Sequence, residues 1–139
     1  PLDQNLYQTV KGMSAAAKIV KEGGVIIAAA ECSDGYPNHG NYRDILIKSP
    51  SMCHFLEHVA EKQYNVTDRW QVQIQAMVQV KADVYLYTDG LTDEELRAAH
   101  IKPCRDISAL VKELVEERGG NARICVLPEG PMTIPYVEG

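Results

Sequence analysis

Residues 1–30 read PLDQNLYQTVKGMSAAAKIVKEGGVIIAAA. Leu6, Val10, Met13, Ala17 and Val20 recur at the spacing of one helical stripe. Gln4, Gln8, Lys11 and Ala15 form a second stripe, which at about 100° per residue lies opposite the first. One side of this helix therefore looks into a core, and the other presents two amides, an ammonium and small residues. Gly12, Ala15 and Ala16 allow another body to approach the backbone closely. Asp3 is the expected N-cap, and Gly23-Gly24 the expected stop. After the glycines, Val25 to Ala30 is a short, continuous apolar run, which reads as a buried strand of a parallel sheet.

The rest of the chain repeats that alternation. ECSDGYPNHGNYRD (residues 31–44) is polar and rich in turn residues, hence a loop at the carboxyl end of the first strand, where ligands of open α/β sheets collect. Plain turn chemistry accounts equally for Ser33 and Asp34. Asn41 to Ile47 starts a short helix. A clearer one follows, capped by Ser49 or Ser51, with Pro50 in its first turn and Met52, Phe55, Leu56 and Val59 on its buried side. Residues 64–67 are a break. In TDRWQVQIQAMVQVKAD (residues 67–83), Trp70, Val72, Ile74, Ala76, Val78 and Val80 alternate as in a strand. Trp70, Ile74, Met77, Val78 and Lys81 also fit a helix. The segment is long for a strand and Thr67 can cap it, so a helix is expected.

Asp83 to Thr88 is the expected second strand, and Thr92 with Glu95 forms a capping box for a helix ending near His100. Ile107, Leu110, Val111, Leu114 and Val115 mark another helix, closed by Gly119-Gly120. Ala122 to Leu127 (ARICVL) is the expected third strand, before a proline-rich extended tail. This order predicts an α/β fold: a three-layer α/β/α sandwich around a small, mostly parallel sheet of three to five strands.

The 139 residues suit one domain with a core. The chain opens on Pro1, which suggests a part of something longer, and no signal peptide or membrane span is visible. There are 14 Lys and Arg against 19 Asp and Glu, a net charge of −5, which argues against nucleic acid as a partner. Cys32, Cys53, Cys104 and Cys125 form no C-x-x-C pair and read as reduced thiols of a cytoplasmic protein.

Few motifs carry chemistry. No dinucleotide or phosphate-loop signature is present, and no G-x-S-x-G elbow. His54, Glu57 and His58 spell H-x-x-E-H, the inverted zinc-protease pattern, in which two histidines bind zinc and the glutamate is the base. A solvated helix face explains them as well, and no third ligand is evident. Cys32 stands at a strand end without a visible base, as a buried inert thiol would. Gln8 and Lys11, three apart, meet on one helical face. An ammonium beside a neutral amide suits a carboxylate, the one supplying charge and the other directed hydrogen bonds. On pattern alone they could equally be a solvated outer face.

DQNLYQTVKGMSAA followed by GGVIIAAAECSDG resembles the C-terminal domain of the nickel-dependent lactate racemase family. Asp68-Arg69-Trp70-Gln71 and the proline-rich end extend the likeness over the whole chain. The resemblance implies one C-terminal α/β domain, residues 1–139, of a larger two-domain protein. Its absent N-terminal domain would hold a nickel-pincer nucleotide and the acid–base histidines. It implies racemisation or epimerisation of a small 2-hydroxy acid by hydride transfer to the cofactor and back, and an isolated domain that is inactive. Lys11 and Gln8 match the family's substrate-contacting lysine and glutamine, Trp70 a tryptophan lining the site, and Tyr7 stands adjacent. On that reading Lys11 anchors the carboxylate or polarises the developing carbonyl, Gln8 orients it, and Trp70 excludes water. The Trp70 ring could equally be a core aromatic. The loop departs from the family after Ser33-Asp34-Gly35, where YPNHG with His39 replaces a glycine- and histidine-rich turn, so the particular 2-hydroxy acid stays open. A non-catalytic module that binds a small anion or a protein is the alternative from another class.

Overall fold

The computed structural model describes residues 2–137. Helix α1 (Leu6–Ala16) precedes strand β1 (Gly24–Ala29). Helices α2 (Tyr42–Lys48), α3 (Met52–His58) and α4 (Arg69–Lys81) cross over to β2 (Ala82–Tyr87), and α5 (Asp93–Ala98) leads to β3 (Lys102–Cys104). Helix α6 (Ile107–Glu117) and a tail with one short 3-10 turn (Gly130–Met132) complete the chain. The strands form one parallel sheet in the order β1-β2-β3, with Ile26 beside Val84 and Leu86 beside Pro103. This is the expected α/β class, with three strands.

Helices α1 and α4 pack on each other and on β1 and β2 respectively. The core between them contains Leu6, Val10, Met13, Ile26, Val72, Ala76, Val84 and Leu86. Along β2, Ala82, Val84 and Leu86 are buried while Asp83 and Tyr87 are exposed, so the sheet's two faces are covered unequally. Tyr42 and Phe55 bring α2 and α3 into the same core. Burying a Leu- or Phe-sized side chain stabilises by about 1.5–3 kcal/mol, so this cluster is the main source of cohesion.

The largest correction concerns the third strand. Ala122 to Leu127 forms no ladder among the described residues, and Ile124 and Val126 are 62% and 74% exposed. The third strand is instead Lys102–Cys104. Its Pro103 argues against a strand in sequence, but an edge position tolerates the missing N–H. Helix α6 forms as expected, yet none of its residues is fully buried. Its apolar stripe of Ile107, Leu110, Val111, Leu114 and Val115 is only half-covered.

Helix ends differ as well. Asn5, not Asp3, caps α1, accepting from the Gln8 N–H at 3.1 Å. Asp3 instead accepts from the Glu31 N–H at 3.0 Å. Helix α1 stops at Ala16, and turns continue to Gly23 at φ 68°. Ser51 caps α3, which leaves Pro50 outside the helix. The α4 cap position is Asp68, not Thr67, in the left-handed region at φ 70° and with no capping hydrogen bond from its side chain. The Thr92–Glu95 capping box is present in full.

Helix α4 is a helix despite its strand-like alternation, and its buried side is not the apolar stripe of the sequence. Gln71, Val72, Gln75, Ala76 and Val78 are buried, while Trp70 and Met77 are 54% and 59% exposed. The Gln71 and Gln75 amides each donate to a main-chain carbonyl, which offsets the cost of taking them from water. Apolar periodicity cannot register that exchange.

Candidate functional site

The segment before α1 is laced onto the loop that leaves β1. Cys32 N–H donates to the Asp3 carbonyl, Asp34 N–H to the Gln4 carbonyl, and Leu6 N–H to the Gly35 carbonyl, all at 2.8–2.9 Å. The β2 loop closes on it from the other side. Thr88 Oγ1 donates to the Glu31 carbonyl at 2.7 Å, and a Cβ on Gly90 would lie 1.8 Å from the Cys32 carbonyl oxygen. Glycine at 90 is thus required by backbone-to-backbone approach. This lacing sets the first turn of α1 at the carboxyl edge of the parallel sheet, the edge at which α/β folds hold ligands.

Two contacts stand there, Lys11 with Gln8 and Tyr7 with Trp70. Lys11 Nζ donates to Gln8 Oε1 at 2.6 Å, with Lys11 exposed and Gln8 half-buried. That bond occupies the amide oxygen and leaves the Gln8 NH2 free to donate. Tyr7 stands one helical turn from Lys11 on the same face. Its ring meets Trp70 edge to face, with centroids 5.8 Å apart and planes at 87°. On its other side it meets Tyr42 at 5.3 Å and 70°. Trp70 is therefore a half-open aromatic wall and not a core ring. Burial first, and the Asp68 carboxylate second, push the Tyr7 phenol above its usual range, so it stays a neutral hydroxyl. The group combines a cation, amide donors, a phenol and an aromatic wall. Those are suitable parts for a small carboxylate with a neighbouring hydroxyl.

Other candidates lie elsewhere. Asp34 Oδ2 accepts from Gln4 Nε2 at 2.6 Å and borders an open polar cleft of about 460 Å³ with Ser33, Tyr36, Asn38, Arg43 and Glu95. None of Tyr7, Gln8, Lys11 or Trp70 lines that cleft. His39 is exposed. Cys32 is fully buried, 3.4 Å from the Thr9 hydroxyl, and burial pushes its thiol up, the opposite of an activated nucleophile. The rings of His54 and His58 stack at 4.1 Å, and His58 Nδ1 lies 2.8 Å from the His54 carbonyl oxygen. Among the described residues no group of three or more His, Cys, Asp or Glu could hold a metal. Nor is any helix long and apolar enough to cross a membrane.

Sequence reasoning missed Gln71 and Asp68. Gln71 Nε2 donates to the Tyr7 carbonyl at 2.7 Å, and Asp68 accepts from the Asn41 N–H at 3.2 Å. Three glutamines at helical spacing (Gln71, Gln75, Gln79) were the available signal. It also missed what covers the small-residue face of α1. The tail lies there, so that a Cβ on Gly12 would meet Pro131 Cδ at 3.5 Å.

The lactate racemase C-terminal domain family matches residues 1–134. The lactate racemase of Thermoanaerobacterium thermosaccharolyticum is 34% identical over 136 residues, which is 96% of this chain and 32% of the relative. That of Lactiplantibacillus plantarum is 31% identical over 133 residues, 94% of this chain and 31% of the relative. The structure of the T. thermosaccharolyticum apoprotein superposes with a TM-score of 0.84 at 30% identity, covering 99% of this chain and 33% of that one. The chain thus spans about a third of the length of the lactate racemases it matches. It belongs to the lactate racemase C-terminal domain family.

Proposed function

We propose that this chain supplies one wall of the substrate cleft in a longer two-domain racemase or epimerase acting on a small, lactate-like 2-hydroxy acid. The observation that carries this is the Lys11–Gln8 pair, 2.6 Å apart on the helix turn whose Tyr7 leans on Trp70. Lys11 binds the carboxylate or the carbonyl oxygen of the planar 2-oxo acid as charge develops there. The free Gln8 NH2 fixes the acid's orientation. Tyr7 and Trp70 form an apolar side against which a flat 2-oxo acid lies with water excluded.

The nickel-pincer nucleotide of the family would belong to the N-terminal domain. No triad of metal-ligating side chains in the described part of this chain fits it. When bound it supplies the hydride acceptor and donor. This chain's own work is binding, orientation and exclusion of water, so the domain alone is inactive. Ile124, Val126, Ile134 and Tyr136, each more than 60% exposed, support a neighbouring domain, because a lone domain rarely shows that much apolar surface.

Lys11→Ala in the full-length protein should lower turnover by more than about 10-fold, or ~1.4 kcal/mol in the barrier. Wild-type rates in that variant would remove Lys11 from the mechanism. The non-catalytic anion module has one observation in its favour, the Arg43 cleft. It predicts that Arg43→Ala, and not Lys11→Ala, abolishes carboxylate binding.

A further inference from the structure

Helix α4 turns three amides inward on successive turns: Gln71 and Gln75 are buried, Gln79 is half-buried, and the last two share the Ala99 carbonyl. Gln75 receives the Tyr42 hydroxyl and donates to the Ala99 carbonyl at 3.0 Å. Gln79 donates to the Ala99 and His100 carbonyls at 3.3 and 2.5 Å. Of the three, only Gln71, 1% exposed, reaches α1, where it holds the Tyr7 carbonyl at 2.7 Å. Apolar contacts between helices are non-directional and leave them free to slide by fractions of a turn. A hydrogen bond to a main-chain carbonyl fixes both distance and direction, and at Gln71 it satisfies an amide that is 1% exposed. Trp70 precedes Gln71 on α4, and Lys11 stands one turn beyond Tyr7 on α1. Lys81 Nζ ties the far end of the helix pair to the Ala17 carbonyl at 2.6 Å, and the Gln71–Tyr7 bond fixes the end that carries Trp70 and Lys11.

We propose that Gln71 is a positioning residue: its side-chain amide locks the register of α1 against α4 and so holds Tyr7, Gln8 and Lys11 in front of Trp70. Its effect on catalysis rests on the function proposed above, whereas the register itself does not.

The test uses the full-length protein and three variants. Gln71→Met keeps the volume and removes the donor. Gln71→Glu restores a donor only when its carboxyl is protonated. Gln79→Met removes an amide of the same kind that bonds elsewhere. In Gln71→Met, hydrogen exchange in the peptide spanning residues 6–13 should quicken at least tenfold, and the kcat for lactate racemisation should fall about tenfold with KM within threefold. Gln79→Met should do neither. Gln71→Glu should match Gln71→Met at neutral pH and recover slow exchange, relative to wild type, as the pH falls through the carboxyl pKa.

Unchanged exchange in Gln71→Met, or equal quickening in Gln79→Met, overturns the register lock. If Gln71→Met does not fold, Gln71→Glu decides, and failure to recover on acidification counts against the lock. Faster exchange with unchanged kcat keeps the lock and removes the catalytic reading of this face. Lower kcat with unchanged exchange removes Gln71 as a positioning residue.

Discussion

Tyr7 and Trp70 meet edge to face, ring centroids 5.8 Å apart, although β1, α2 and α3 lie between their helices in the chain. Tyr7 continues on to Tyr42, so three aromatic rings run from a half-open surface into the core. Each such pair contributes about 0.5–1.5 kcal/mol beyond its buried area. Tyr7→Ala should therefore cost about 1–3 kcal/mol in urea denaturation. Trp70 is the chain's single tryptophan, so its emission reports the loss directly. A red shift, with easier quenching by acrylamide, is expected. An unchanged spectrum would mean that the two rings do not touch in solution.

Two glycines should respond in opposite ways to alanine. At Gly12 the added methyl meets Pro131 Cδ at 3.5 Å, an ordinary contact, on a helix where alanine is favoured by about 0.8–1 kcal/mol. Gly12→Ala should be neutral to stabilising. Gly90→Ala puts Cβ 1.8 Å from the Cys32 carbonyl oxygen, a main-chain atom that cannot swing aside. It should destabilise by more than about 2 kcal/mol and loosen the loops at the carboxyl edge. Thermal unfolding of the two variants against wild type checks both signs.

Thiol labelling separates the cysteines. Cys32 and Cys104 are buried, and burial raises both thiols. Cys53 and Cys125 are exposed. With a small alkylating reagent at neutral pH, two thiols should react quickly and two only on unfolding. Fast labelling of Cys32 would reopen its reading as a nucleophile.

Alkaline pH should destabilise the fold. Burial pushes the Tyr36 phenol from 10.0 to about 12, and raises that of fully buried Tyr42 as well. A folded pKa above the unfolded one gives stability that is complete below pH 10 and is lost as pH rises through the folded value. Denaturant midpoints should fall between pH 10 and about 12, and Tyr36→Phe should reduce that slope. At the acid end the sign reverses. Hydrogen bonds from the Thr92 backbone and hydroxyl hold Glu95 below 4.5, so its contribution is present above that pH and is lost on acidification below it.

Much of this protein was readable along the chain. The α1 stripe, the double glycine before β1, the Thr92–Glu95 box and the α6 pattern are local features. Periodicity and capping chemistry act over a few residues, so sequence shows them directly. The Gln8–Lys11 bond is of the same kind, since residues three apart on a helix must meet.

What folding in three dimensions settled was every pairing between distant segments. Strand propensity in Ala122 to Leu127 found no ladder to join, while Lys102–Cys104 took the edge of β2 despite Pro103. A hydrogen-bond ladder rewards a free neighbouring edge, and no local pattern reveals where that edge lies. Likewise no local pattern marks Gln71 as buried; its amide is satisfied by the Tyr7 carbonyl on another helix. Burial of a polar group depends on what it meets, and here its partner lies 64 residues away.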